Sequence, residues 1–222
     1  MWDINTTPHQ FNDFKLGTNS GADIWTQTTW AFDMVAMHDY YTGKNITCYM
    51  VKRTKGGTPI YIDSGNVKGS WNVDFTGITA ANSGITVLLR DLHWYYQSAV
   101  TYATSVGKTL NVKAILWHQG ESDFLPSAAS NSYYQNFKDV IYYIRNNIVG
   151  NPILPIVYGT IPHASAQYNV TVENAQLLIG SEDVNAHVIN LASATLLVDG
   201  LHLDATSSIS FGDQVYDIIK NF

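Results

Sequence analysis

The feature that most constrains this chain lies at residues 112–123. Val112-Lys-Ala-Ile-Leu-Trp117 is apolar apart from Lys113, and it gives way without a spacer to His118-Gln-Gly-Glu-Ser-Asp123. A short, continuous apolar run of this kind reads as an interior strand of a parallel sheet, buried on both faces. The polar residues then fall at its carboxyl end, the edge at which open α/β sheets bind ligands. Ser122 or Asp123 alone would suit a turn that caps the next helix. An imidazole, an amide, a glycine and a second carboxylate beside them exceed what a soluble turn needs.

The remaining chain supplies what such a strand requires. Further apolar runs at 46–51 and 153–158 read as strands, 187–191 reads as a short strand, and apolar residues at helical spacing mark helices at 30–41, 84–106, 132–149, 172–179 and 208–219. Residues 1–28 are rich in Asn, Thr, Gly and Asp and form an irregular opening segment; residues 60–82 read as a loop anchored by Trp71. Strands alternating with helices give right-handed βαβ units and a mainly parallel sheet covered on both faces, an α/β fold. A length of 222 residues suits one domain, 1–222.

Composition then narrows the partners. Twelve Lys plus Arg against eighteen Asp plus Glu, with no basic run, argue against nucleic acid or an anionic membrane surface and favour a neutral or carbohydrate-like substrate. The one cysteine, Cys48, sits in an apolar run, so neither a disulfide framework nor a cysteine metal site is available within the chain, and Cys48 reads as core. The first residues lack a basic segment followed by an apolar stretch, and nothing approaches the ~20 apolar residues that span a bilayer. A soluble chain without signal peptide or transmembrane segment is expected, with no cofactor and no metal.

Successive parallel strands deliver their loops to one edge. Gly56-Gly57-Thr58 follows one strand, residues 118–123 the next, His163 a third, and Asp199-Gly-Leu-His202 precedes the last helix. Four polar clusters thus converge on one rim. Asp199 and His202, three apart on a short turn, are close enough for a carboxylate to orient an imidazole as a general base, the second half of a nucleophile triad.

Taken together, Trp117-His-Gln-Gly-Glu-Ser-Asp123 and Asp199-Gly-Leu-His202 resemble the SGNH hydrolases of the sialate O-acetylesterase and acetylxylan-esterase type. Gly56-Gly57-Thr58-Pro-Ile is similar to that family's Gly-Gly-Thr-Ser-Ile segment, and Trp30-Ala-Phe to its Gly-Pro-Glu-x-x-Phe region. The resemblance implies a three-layer α/β/α sandwich with a flavodoxin-like sheet and a serine esterase that removes O-acetyl groups from carbohydrate. It makes Asp199 and His202 the acid and base, gives Gly57, next to Gly56, and Gln119 as oxyanion donors, and has Glu121, beside His118, organise the pocket.

One part of the family pattern has no counterpart here. The nucleophile serine of a Gly-Gln-Ser-Asn motif, at the end of a first apolar strand, is not identified in this chain. The nearest substitute is Ser20 in Leu16-Gly-Thr-Asn-Ser-Gly21, but Phe11-Asn-Asp-Phe-Lys-Leu16 makes a poor buried strand behind it, and a nucleophile elbow needs a rigid one. Three readings stay open: a missing N-terminal segment or second chain supplies the first strand and serine, the chain is an inactive relative, or Ser20 is placed by another route. The first is favoured because a lost central strand leaves backbone groups unpaired on both sides of a gap.

Two other function classes compete. A catalytically inactive carbohydrate-binding or structural protein, for example virion-associated, would use the 14 Tyr and 6 Trp for sugar stacking. A metal-dependent hydrolase would use His118, Glu121, Asp123, His163 and His202 as ligands, although their spacing matches no metal motif.

Overall fold

The computed structural model describes residues 2–3, 9–11, 13, 30–62, 69–74 and 87–222. Two short strands, β1 (Trp2–Asp3) and β2 (Gln10–Phe11), pair antiparallel within the segment expected to be irregular. The central sheet is parallel, with strands β3 (Ile115–Trp117), β4 (Ile156–Gly159) and β5 (Ala186–Ile189) in that spatial order. In register, Leu116 lies opposite Val157 and Tyr158 opposite Val188. Among the described residues the helices that accompany it are α1 (Phe32–Lys44), α2 (Leu88–Ser105), α3 (Ser127–Tyr143), α4 (Val170–Glu182) and α5 (Ala205–Ile219). A π-helical turn, Ile144–Val149, extends α3.

Alternation along the strands divides the core. Trp117, Ile156, Tyr158 and Ala186 pack in one cluster with α2, α3 and α4; Val157 and Ile189 pack in another with α1 and α5. Every residue of β4 is buried, as its continuous apolar sequence requires. Phe211 stacks on Phe32 at a centroid distance of 4.1 Å, joining α5 to α1. Burying a side chain of that size contributes roughly 1.5–3 kcal/mol.

Helices α4 and α5 begin earlier than apolar spacing alone indicates, because polar caps set their first turns, whereas α1 and α2 begin later than expected. Asn169 accepts from the Thr171 and Val172 amides and starts α4, and Asp204 accepts from the Ser207 amide at 2.8 Å and starts α5. Helix α3 opens on Pro126 with no side-chain cap, so neither Ser122 nor Asp123 caps it.

The strand expected at 46–52 is not formed; this segment joins no ladder among the described residues. Strand-forming residues need a hydrogen-bonding neighbour, and none of the described residues pairs with them. Side chains hold the segment instead. Lys52 pairs with Asp33 of α1 at 2.7 Å, Arg53 pairs with Asp91 of α2 at 3.0 Å, and Val51 packs beside Tyr95 and Ala99. Ile46 and Tyr49 remain more than half exposed, and Cys48 is only half-buried, not core. Between this segment and β3 opens a cavity of about 1610 Å³, walled by residues 46–58 on one side and 110–119 on the other. Among the described residues no strand pairs with the outer edge of β3, and no helix is long and apolar enough to cross a membrane.

Candidate functional site

Two pieces of chain build the rim above β3. The first is the loop that follows the strand. Gln119 is buried, and its amide nitrogen donates to the Thr58 carbonyl at 3.3 Å and to Asp123 Oδ2 at 2.5 Å. Both partners only accept, which fixes the amide's orientation, and Tyr133 Oη donates to the Gln119 carbonyl at 2.9 Å from α3. Gln176 of α4 donates to the same carbonyl at 3.1 Å. Both amide hydrogens of Gln119, the expected oxyanion donor, are therefore engaged inside the protein.

Asp123 is fully buried and accepts from the backbone amides of Ile60 and Tyr61, each at 2.9 Å. Burial pushes its carboxyl above the ordinary range, outweighing these donors. Burial also pushes the Tyr133 phenol far up, and the neighbouring Asp123 adds to this, so the phenol serves as a neutral donor. Glu121 and His118 lie at the rim, with His118 Nε2 3.3 Å from Glu121 Oε1. The His118 ring meets Phe32 and Phe211 edge-on. Gly56 and Gly57 are exposed across the gap, and Thr58 beneath them accepts from Trp71 Nε1 at 3.1 Å. Gly57 has φ 67°.

The second piece is the turn at 199–202. Asp199 Oδ2 lies 2.7 Å from His202 Nδ1, while Oδ1 accepts from the Leu201 and His202 amides at 2.9 and 3.0 Å. These bonds, His202 first, hold the Asp199 carboxyl down at about 2. The carboxylate thus places the proton on Nδ1 and leaves Nε2 to accept, with the imidazole 74% exposed and on the wall of the cavity that Gly57 and Gln119 also line. The turn is braced from behind, where the Ala166 amide donates to the Gly200 carbonyl at 3.1 Å.

Six of the expected site residues, Gly56, Gly57, His118, Gln119, Glu121 and His202, therefore share one cavity. Ser20 lies outside the described residues. Ser122 and Ser208 stand in the cavity wall, and neither hydroxyl is bonded to His202 among the described residues. The proposed metal ligands do not assemble: His163 bonds Glu173 at 2.9 Å, Asp123 points inward, and no group of three such residues among those described could hold a metal. The anchoring roles of Asp123, Tyr133 and Gln176 escaped the sequence reading. Only the four-residue spacing of Gln119 and Asp123 hinted at the first, while Tyr133 and Gln176 are indistinguishable from helix core positions.

Comparison with known proteins places these features in context. The sequence pattern of the family described as SASA, carbohydrate esterase, sialic acid-specific acetylesterase, matches residues 38–220. A probable carbohydrate esterase of Arabidopsis thaliana is 33% identical over 101 residues, 46% of this chain and 37% of that protein. An X-ray structure of an Arabidopsis thaliana protein matches with a TM-score of 0.53 at 24% identity, covering 68% of this chain and 55% of the other. The matches thus span about half or less of each relative.

Proposed function

Because the chain belongs to the carbohydrate esterase family of sialic acid-specific acetylesterases, we propose that it serves the hydrolysis of O-acetyl esters on carbohydrate by a Ser-His-Asp mechanism. The observation that carries this reading is the Asp199–His202 pair at 2.7 Å, with His202 on the wall of the cavity that Gly57 also lines. In the reaction His202 Nε2 takes the proton of a serine hydroxyl as its oxygen attacks the acetyl carbonyl. The Gly57 amide donates to the developing oxyanion. His202 then protonates the departing sugar oxygen, and water enters by the same route to release acetate. Asp199 stays ionised throughout and holds the imidazole.

The nucleophile in this reading arrives on an apolar strand that fills the cavity beside β3 and completes the three-layer sandwich. The β3 edge, unpaired among the described residues, supports this, as do two buried polar atoms of cavity-lining residues, Trp117 Nε1 and His118 Nδ1, which have no hydrogen-bond partner among those residues. A strand docked there supplies a ladder to the edge. The competing reading, a non-catalytic sugar binder, draws less support, since Trp71, Trp117, Tyr133 and Tyr158 are buried in the core rather than presented for stacking.

The test is complementation. The 222-residue chain alone should accelerate aryl acetate hydrolysis by no more than about 10³–10⁴-fold over water, the contribution left to oxyanion stabilisation and binding without a nucleophile. Fusing an N-terminal segment that carries an apolar strand and Gly-Gln-Ser-Asn should raise turnover well above this, and replacing its serine with alanine should remove the gain. Turnover by the chain alone, with a serine-directed phosphonate found on Ser20 or Ser122, would overturn the strand and leave the esterase. Binding of acetylated sugar with no turnover in any form would favour the sugar binder.

A further inference from the structure

We propose that Asp123 is the positioning residue that sets the oxyanion side of this site, by fastening the Gly57 loop and the Gln119 loop to one buried carboxylate. The inference rests on the esterase reading for the role of Gly57; the fastening itself rests on geometry. Asp123 has no exposed surface, and three donors from two separate pieces of chain converge on it: the Ile60 and Gln119 groups on Oδ2 and the Tyr61 amide on Oδ1. Ile60 and Tyr61 lie three and four residues beyond Gly57, and Thr58 between them is itself held by the Gln119 amide. One side chain therefore fixes where the Gly57 amide points relative to the strand-end loop.

A helix cap would be the ordinary use of an aspartate here, but the next helix starts at Pro126 without one. An uncompensated buried charge is expensive, and a chain keeps one where backbone donors have no other acceptor. Asparagine has the same shape and cannot do the same work, since its nitrogen, placed at Oδ2, would face two N–H donors. Among the described residues the titratable groups facing Asp123 are Glu121 from its own turn and Tyr133 from α3, so no described cation shares the load.

The experiment follows the amide signals of Gly57, Ile60 and Tyr61, together with the Gln119 side-chain amide, by NMR in the 222-residue chain from pH 7 to pH 3. All four should move with one common titration, and in Asp123→Asn that step should vanish while distant signals stay in place. Hydrogen exchange at Ile60 and Tyr61 should quicken at least about tenfold in the variant, as expected for a lost buried hydrogen bond. In a form that turns over acetyl esters, kcat should fall about 10²-fold with KM little changed, the signature of misplaced catalytic groups rather than lost binding. Signals that titrate independently in the unsubstituted chain, or a Gly57 shift indifferent to Asp123, would overturn the proposal, and the first of these can be read even if the variant fails to fold. The titration and exchange need no ester turnover, so they decide the proposal whether or not the esterase reading stands.

Discussion

The loop at 118–123 and the turn at 199–202 face the same cavity, yet they are held in place by different means. The first is buried and tied at long range, through Ile60, Tyr61, Tyr133 and Gln176, each at least ten residues away along the chain. The second is exposed and nearly self-contained, its carboxylate bonded to atoms two and three residues on. A frame made of distant partners resists displacement but fails as a unit when one member is removed. A local turn can lose its side chains with little effect on the fold, which leaves its residues free to serve chemistry.

The contrast is broken most severely at Asp199. In a form that turns over acetyl esters, Asp199→Asn should lower kcat by about 10⁴-fold, because the imidazole is no longer held in the tautomer that accepts at Nε2. Its thermal midpoint should fall only slightly below that of the unsubstituted chain, since the side chains involved lie in solvent. Steady-state kinetics and a melting curve on one preparation check both halves. A variant of undiminished rate would reduce Asp199 to a turn residue; one that melts early would show that the turn is not self-contained.

The same contrast explains what was legible in the sequence. Asp199 and His202 could be paired from spacing alone because their contact is local. Strand β4 could be read because a fully buried parallel strand leaves a continuous apolar run, and the mainly apolar β3 and β5 were legible although only partly buried. Residues 46–51 carry the same kind of run and form no strand, since strand formation depends on a neighbour that sequence composition does not report. Asp123 looked like a cap for the same reason: its partners lie 62 and 63 residues away. Ser20 lies outside the described residues, and its role remains with the complementation experiment.

Glycines sharpen the comparison at a smaller scale, one in each region. Gly120 has φ 151°, and a Cβ there would meet Gln176 Nε2 at 3.0 Å, Val172 Cγ1 at 3.1 Å and Ile161 Cδ1 at 3.2 Å. Gly120→Ala should cost roughly 1–3 kcal/mol from backbone strain, with crowding against α4 added. Gly200, at φ 67°, has open space where its Cβ would go. Gly200→Ala should cost only the left-handed penalty, roughly 1–2 kcal/mol. Urea unfolding of both variants tests the order, and a Gly200 variant less stable than the Gly120 variant would refute the division into a packed loop and a free turn.

Acid sets the two carboxylates against each other with the smallest expected effect. The Asp199 carboxyl is held at about 2, below its usual 3.8, chiefly by the hydrogen bond to His202. A lowered folded value means that its contribution is present above 3.8 and is lost as pH falls through about 2. Asp123 is raised by burial, so the folded chain binds its proton more tightly than the unfolded chain does. Its contribution is full below 3.8 and disappears as pH rises through the elevated folded value, which is the opposite slope. Unfolding free energies measured from pH 6 down to pH 2 should therefore diverge when each variant is subtracted from the unsubstituted chain. The difference curve for Asp199→Asn should fall toward acid, and that for Asp123→Asn should rise. Exposure keeps the Asp199 slope shallow, and added salt should flatten it further while leaving the buried group's slope nearly intact. Two curves of the same sign would mean that the donors on Asp123 outweigh its burial, and the buried loop would then be held by its carboxylate at no cost in charge.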